Sequence, residues 1–185
     1  DVQYVGDTGV GVHTALLDEK ASAIHILACY AAHVGAGFAP YVRDVADIVA
    51  RECGCELHEG VRQAAFSAMP FLLASTKACI GTPQGNSGNN STQGAATATS
   101  STVTTPADLQ ALWQFLFEPA LKALANERNA EDTLPQMLSS LAACLDILGG
   151  PSLSAEQLDA LAERLDAVLA RLHSTPATDT RGPFM

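Results

Sequence analysis

Apolar side chains recur at spacings of three and four residues along most of this sequence. The first such stretch places five of them on one face of a helix with about 3.6 residues per turn. They are Leu17, Ala21, Ile24, Ala28 and Ala31. The same spacing returns in five later stretches, and no stretch shows a convincing strand pattern. The pattern therefore predicts six helices, over residues 15–34, 38–53, 58–78, 107–126, 131–148 and 154–173.

Local signals predict where some of these helices begin and end. Asp18 and Glu19 are expected in the first turn of the first helix, where negative charge favours the helix dipole. Gly35 is expected to end that helix. Ser154 followed by Gln157 is a capping-box pattern, which predicts that the last helix begins there.

The predicted helices follow one another at a regular interval. When the polar stretch in the middle is left out, a pair of helices repeats about every 40 residues, which is close to the period of HEAT and armadillo repeats. Because one pair cannot bury its apolar face alone, such pairs stack on one another. The sequence therefore predicts an all-α superhelix of HEAT repeats, about three helix pairs long.

Residues 81–106 interrupt the helical pattern. The segment carries no charge and consists largely of Gly, Ser, Thr, Asn and Gln. Such side chains cannot offset the entropy of ordering by burial, so we expect a long disordered loop. A modified Ser/Thr-rich regulatory loop is the alternative. The predicted organisation is HEAT repeats over 1–80, the loop over 81–106, further HEAT repeats over 107–173, and a tail over 174–185.

Composition and charge favour a helical, acidic protein with a basic partner. Hydrophobic residues make up 48% of the chain but aromatic residues only 5%. Ala and Leu account for most of the difference, and they suit close-packed helices better than strands. The formal net charge of −10 repels a phosphate backbone, so direct nucleic-acid binding is not expected.

Other classes of protein are disfavoured by simple features of the sequence. The longest apolar run is interrupted by His25 and His33, so no stretch reaches the roughly 18–20 residues of a membrane span. No membrane partner is expected. Five Cys residues without a disulfide framework favour a reducing, intracellular compartment. The N-terminus has no signal peptide and no initiator Met, so we expect the sequence to begin inside a longer protein.

The third predicted helix carries the most specific pattern. An acidic turn at 58–60 is followed by Val61-Arg62 and then by small residues, which resembles the second helix of a HEAT repeat. Further segments, in order along the chain, resemble the importin-beta (karyopherin-beta) superfamily, and within it the beta-three branch, also called importin five. The segments that carry the resemblance are 14–21, 28–31, 37–38, 41, 58–62, 67–70, 112–115 and 120–123, within residues 4–80 and 107–173.

The resemblance implies a part of a nuclear transport receptor, which is not an enzyme and needs no cofactor. Receptors of this superfamily shuttle between cytoplasm and nucleus. They bind basic protein cargo, Ran-GTP and the phenylalanine-glycine repeats of nucleoporins. The resemblance also implies two sides: outer helices at 38–53, 107–126 and 154–173, and inner helices at 15–34, 58–78 and 131–148.

Acidic residues of the predicted inner helices are the candidates for contacting basic cargo or Ran-GTP. Together they would form a shallow negative stripe that steers cationic partners. The simpler interpretation is that each one caps a helix or is a solvated surface charge. These residues are Asp18, Glu19, Glu59, Glu131 and Asp132.

Two further residues are candidates for partner contacts but have a simpler structural interpretation. Arg62 is expected to bond between repeats, because its guanidinium can reach carbonyls or acids in neighbouring turns. Trp113 is expected to pack in the core or between repeats. The alternative is that an aromatic side chain such as Trp113 helps to receive a Phe from a nucleoporin repeat.

Two cysteine-containing segments are candidates for metal binding or catalysis. Cys53, Cys55 and His58 are proper zinc ligands, but three ligands at this cramped spacing, without a second cluster, predict no metal site. His25 and Cys29 lie four residues apart without a third partner, so we expect a packed His rather than a catalytic pair. The remaining alternatives are a HEAT scaffold for another complex and an enzyme that uses the Cys/His cluster.

Overall fold

The computed structural model describes six α-helices and one β-hairpin. It describes residues 2–5, 8–11, 14–80, 105–128, 132–149 and 153–174. The strands are β1 (Val2–Val5) and β2 (Thr8–Gly11). The helices are α1 (Thr14–Val34), α2 (Ala39–Glu52), α3 (Glu59–Ile80), α4 (Pro106–Asn126), α5 (Thr133–Leu148) and α6 (Ala155–Ser174).

The helices stack in two layers. The helices α1, α3 and α5 pack side by side and form what we call the B layer. The helices α2, α4 and α6 form the A layer, which lies against the first. The helix α3 is central, because it contacts both neighbours in its own layer as well as α2 and α4. The predicted all-α stack of about three helix pairs is confirmed, and its two layers coincide with the predicted inner and outer sets.

The core lies between the two layers and is centred on α3. Large side chains such as Phe66, Met69 and Leu72 of α3 are fully buried, together with Leu116 of α4 and Met137 of α5. Each buried Leu or Met contributes about 1.5–3 kcal/mol through the apolar surface that it removes from water. The stack is therefore held together mainly by apolar contacts of α3.

Small residues bring the helices of the B layer close together. The buried face of α1 consists of Ile24, Ala28 and Ala31. The helix α3, which packs directly against it, buries Ala65 and Ala68. The Ala side chains on these faces are small enough to let the two helix axes approach, so the abundance of Ala in the sequence has a direct structural role.

The predicted helix ends agree with the structure at α6 and disagree at α1. The Ser154–Gln157 capping box is confirmed. The backbone amide of Gln157 donates to the Ser154 hydroxyl (3.2 Å), and the backbone amide of Ser154 donates to Gln157 Oε1 (3.1 Å). The placement of Asp18 and Glu19 in the first turn is wrong. Because α1 already begins at Thr14, both carboxylates lie one turn further along and do not act on the helix terminus.

The chain turns sharply between α1 and α2. Gly35 has a φ of +56°, which is a conformation that favours glycine, and it opens a short 3-10 turn over Gly35–Phe38. The Ser75 hydroxyl of α3 donates to the Gly35 carbonyl at 2.7 Å. Gly35 therefore ends α1, as the sequence predicts.

The N-terminal hairpin is an element that the sequence analysis missed. Its strands are antiparallel, with Val2 opposite Gly11 and Val5 opposite Thr8. Each strand has only four residues, and one of them contains two Gly residues, so neither shows a clear alternation of apolar and polar side chains. The expectation of no strand is therefore wrong for residues 2–11.

Two predicted segments are largely outside the described residues. They are the loop at 81–106, of which only Thr105 and Pro106 are described, and the tail at 174–185, of which only Ser174 is described. Both described ends belong to helices: Thr105 caps α4, Pro106 begins it, and Ser174 ends α6. The disordered character of the two segments stays a prediction.

One described stretch is long and apolar enough to cross a membrane by composition alone. It is Thr14–Glu52, which has a window with a mean hydropathy of 1.3. The stretch contains the turn at Gly35, which separates α1 from α2, and both helices pack against α3. Only 22% of that window is buried within the stack, so packing accounts for a minor part of its apolar character.

Candidate partner-binding surface

A groove crosses the B layer and passes over all three of its helices. Its volume is about 530 Å³. Residues with little or no side chain, including Gly60 and Ala64 of α3, leave space along its floor. The polar residues that line it are Ser22 and His25 of α1, Gln63 and Ser67 of α3, and Asp132 and Gln136 at the start of α5.

Side-chain hydrogen bonds hold one wall of this groove in place. The side-chain amide of Gln63 donates to the Thr133 hydroxyl at 3.1 Å. The side-chain amide of Gln136 donates to the Ser67 hydroxyl, also at 3.1 Å. Since both bonds join α3 to α5, the spacing between these two helices is fixed along the groove. A partner would therefore meet a preformed surface of mixed polar and apolar character, which lowers the entropic cost of binding.

The candidate acids of the B layer are only partly brought together. Asp132 lies on the groove wall and is exposed. Asp18 is also exposed, and one of its oxygens lies 3.2 Å from His58 Nε2. Glu19 and Glu59 are exposed on α1 and α3, outside the groove lining. Glu131 lies outside the described residues.

The predicted packed His is wrong for His25. The side chain is exposed and lines the groove, so it is available to a partner. The apolar stripe of α1 had suggested burial, but His25 lies beside that stripe and on the solvent side of Ile24, which is buried. His25 is a groove residue that the sequence analysis did not select.

Arg62 joins two helix pairs. Its Nε donates to one carboxylate oxygen of Glu127 at 2.8 Å, and its Nη2 donates to the other at 3.1 Å. A third bond, from Nη1, reaches the Cys55 carbonyl at 2.7 Å in the turn between α2 and α3. The side chains of Arg62 and Glu127 are only 15% and 1% exposed, as the structural interpretation of Arg62 expected.

A second, more exposed ion pair resembles the first in its position. Lys20 Nζ of α1 lies 2.7 Å from a carboxylate oxygen of Glu52, at the end of α2. In both pairs, a cation in the early turns of a B-layer helix holds a glutamate at or just after the end of the following A-layer helix. The two pairs therefore form a repeated link between the layers.

Trp113 lies in the core. It is only 1% exposed, and its ring packs against Phe117 of the same helix, with 5.1 Å between the ring centroids. Its Nε1 has no hydrogen-bond partner in the part of the chain that the structure describes. The ring is therefore closed to a partner in this structure, while Phe115, two residues further along, is 46% exposed.

The described cysteines are free thiols whose environments range from buried to exposed. Burial, and to a smaller extent the nearby Cys144 and Glu52, raises the pKa of the Cys53 thiol to about 12. Burial also raises the pKa of the Cys144 thiol to about 12. Cys29 is exposed. Among the described residues, no three His, Cys, Asp or Glu side chains are arranged to hold a metal ion, including those around Cys55 and His58.

An apolar depression lies at the α1–α2 end of the stack. Its volume is about 340 Å³, and its lining is almost entirely apolar. Tyr30, Val34 and Tyr41 contribute half-exposed side chains to it, and Phe38 forms part of its base. Because helix pairs in such arrays stack through apolar faces, this depression has the character of a stacking face.

Comparisons with known proteins agree with the two-layered helical stack. A scan against profiles of known protein families finds no match. A curated relative, importin subunit beta-3 of Saccharomyces cerevisiae, is 37% identical over 83 residues, which are 44% of this chain and 8% of the relative.

Solved structures match over nearly the whole chain. A crystal structure of Kap121p bound to RanGTP matches with a TM-score of 0.73 and 25% identity, over 94% of this chain and 14% of the other. A crystal structure of the karyopherin Kap121p bound to the extreme C-terminus of the protein phosphatase Cdc14p matches with a TM-score of 0.77 and 24% identity. That match covers 100% of this chain and 16% of the other.

These findings show the fold of the chain and the kind of protein that it resembles. The stacked helix pairs make the chain an αα-superhelix of HEAT repeats. The comparisons also confirm the resemblance to the importin-beta superfamily, and within it to the beta-three branch. The chain spans 8% of the length of the curated relative and between 14% and 16% of the matched structures.

Proposed function

We propose that this chain serves as part of a nuclear transport receptor, which carries basic protein cargo through the nuclear pore and is regulated by Ran-GTP. The observation that carries the proposal is the match to Kap121p over 94% of this chain at 25% identity, in a structure with RanGTP bound. The receptor acts by binding and shuttles between cytoplasm and nucleus. No residue performs bond chemistry.

The B-layer groove is the proposed contact for cargo. The polar side chains of its mixed lining suit the backbone of an extended basic segment, and the exposed carboxylate of Asp132 suits a cationic side chain of that segment. Asp18, Glu19 and Glu59 would add to the negative field around it, and Glu131 stays a candidate from the sequence alone. The net charge of −10 supports this choice of partner, since it raises the rate at which cationic segments meet the surface.

Ran-GTP regulates the receptor by differential binding. A ligand shifts a protein between conformations only if it binds one of them more tightly than the other. We propose that cargo and Ran-GTP favour different curvatures of the superhelix, so that each lowers the affinity of the other. Nucleoporin repeats would contact the A layer, where Phe115 exposes an aromatic ring.

Binding of GTP-locked Ran tests this proposal. Full-length protein that contains this sequence is immobilised and exposed to Ran loaded with a non-hydrolysable GTP analogue, and Ran loaded with GDP is the matched control. Retention of the GTP form alone supports a transport receptor. Equal failure of both forms to bind refutes the proposal and favours the alternative, a HEAT scaffold that assembles another complex.

A further inference from the structure

The last helix is attached to the rest of the molecule at a small number of places. Among the described helices, α6 packs against α4, and only one of its described side chains, Val168, is buried. Arg171, near its C-terminal end, donates to the Ala125 carbonyl at 3.1 Å and to the Glu127 carbonyl. The position of this end of α6 therefore depends on the end of α4.

The end of α4 is in turn held by α3. The Glu127 carboxylate receives both donors of the Arg62 fork, and it also accepts from the backbone amide of Arg128 at 2.9 Å. Since the Glu127 side chain is only 1% exposed, water cannot replace Arg62 without opening the structure. We call the set of Arg62, Glu127 and Arg171 the Glu127 junction.

We propose that the Glu127 junction couples α3 to α6. Glu127 serves both sides: its carboxylate holds Arg62 of α3, and its backbone carbonyl holds Arg171 of α6. A shift of the first turns of α3 therefore displaces the end of α4 and changes the attachment of α6. The coupling runs through contiguous hydrogen bonds, which is the kind of path that carries conformational change between distant elements.

The other end of this path lies at the groove. Gly60 and Gln63, on either side of Arg62 in the first turns of α3, line the groove of the B layer. An occupant that displaces these turns would alter how firmly α6 is held. This last step rests on the proposed function, whereas the coupling between α3 and α6 rests on the geometry alone.

Hydrogen exchange of α6, measured by mass spectrometry on the chain without any partner, tests the coupling. Arg62→Lys keeps the positive charge but loses the fork that holds Glu127, and the described contacts of Arg62 do not include α6. Arg171→Gln removes the direct attachment. We expect both variants to exchange the amides of residues 155–171 about tenfold faster, which is the size of effect that a lost charge-assisted hydrogen bond produces.

Arg164→Gln is the matched control, because Arg164 is an exposed arginine on the same helix. We expect it to exchange at the parent rate. The coupling is refuted if Arg62→Lys leaves α6 at the parent rate while Arg171→Gln accelerates it. It is also refuted if Arg62→Lys accelerates the central turns of α3 as much as α6, because that result means global destabilisation. Since no partner is added, failure of the proposed function leaves this result unaffected.

Discussion

Arg62 and Glu127 are 65 positions apart in the sequence, yet two hydrogen bonds of 2.8 and 3.1 Å join their side chains. The pair connects α3, in the B layer, with the residue that follows α4, in the A layer. A buried ion pair adds little net stability compared with apolar residues, but it strongly penalises any arrangement that separates the two charges. The pair therefore specifies how consecutive helix pairs are aligned.

Removal of one member of this pair is expected to be costly. Glu127→Ala leaves the Arg62 guanidinium buried without its carboxylate, so the free energy of unfolding should fall by about 3–5 kcal/mol. Denaturation by urea measures this change. The double variant Arg62→Met with Glu127→Leu removes both charges and should lose clearly less stability than Glu127→Ala. A double variant at least as unstable as the single one contradicts this explanation.

The central position of α3 predicts a large cavity effect at Leu72. This side chain is fully buried, so Leu72→Ala should lower the free energy of unfolding by about 2–5 kcal/mol. Leu158→Ala on α6 makes the same chemical change at a side chain that is 52% exposed. Chemical denaturation should show a cost below about 1 kcal/mol for that control. Similar losses in the two variants would show that α3 is not the centre of the core.

The sequence was sufficient to predict the helices and one helix cap, but not the long-range contacts between helices. The helices of the stack follow from apolar spacing, because helix periodicity is a local property that needs no tertiary contact. The Ser154–Gln157 cap was found for the same reason. The Glu127 partner of Arg62 was not, because a contact across 65 residues and an intervening polar segment leaves no local pattern.

The surface residues were harder to predict than the fold. The chemistry of Trp113 suited either a core or a partner role, and its burial beside Phe117 of α4 decides in favour of the core. His25 was expected to pack because it lies beside the apolar stripe of α1. Consecutive residues of a helix point in different directions, so His25 lines the groove although Ile24, the residue before it, is buried. Gln63 and Gln136 carry no sequence signal, and only the packing of α3 against α5 makes them groove residues.

A cap that the sequence analysis did not identify begins α4. The Asp108 amide donates to the Thr105 hydroxyl at 3.3 Å, and the Thr105 amide donates to Asp108 Oδ2 at 2.6 Å. Thr105→Ala should lower the free energy of unfolding by about 0.5–2 kcal/mol in thermal or urea denaturation. Thr105→Ser, which keeps the hydroxyl, is the control and should retain most of the stability.

The same cap predicts an acid dependence. Hydrogen bonds from the Thr105 backbone, and then from its side chain, lower the pKa of Asp108 below its ordinary value of 3.8. A lowered pKa in the folded state contributes stability above pH 3.8 that is lost as the pH falls through the folded value. Circular dichroism of Asp108→Asn should show a smaller loss of stability over this acid range than the parent. If the parent and Asp108→Asn lose stability equally as the pH falls, the proposed contribution of the Asp108 carboxylate to the cap is contradicted.

Thiol reactivity should separate the cysteines by environment. Because burial raises the pKa values of Cys53 and Cys144 to about 12, both remain protonated thiols at neutral pH and should resist alkylation until the chain unfolds. Cys29 is exposed and should be alkylated first. Peptide mapping after brief treatment with iodoacetamide measures the order. Early modification of Cys53 or Cys144 under native conditions contradicts the described core.

The raised pKa values also have a consequence for stability at high pH. A thiol whose pKa is raised from 9.0 to about 12 on folding stabilises the folded state below pH 9, and this stability is lost as the pH rises towards 12. Cys144→Ala should therefore reduce the alkaline loss of stability, as measured by thermal unfolding between pH 8 and pH 10. An unchanged slope would show that Cys144 does not contribute to it.

If the groove of the B layer is the contact for basic cargo, the affinity of the chain for a lysine-rich peptide should depend on the groove carboxylate. Fluorescence anisotropy in parent and variant proteins measures this affinity. Asp132→Asn removes a carboxylate from the groove, and Asp166→Asn removes one from the exposed surface of α6, so the two variants have the same net charge. We predict that Asp132→Asn weakens binding about two- to fivefold, as expected for a partly exposed charge pair, and that Asp166→Asn leaves it unchanged. Equal affinities of the two variants, or no saturable binding by the parent, would contradict the assignment of the groove as the contact for basic cargo.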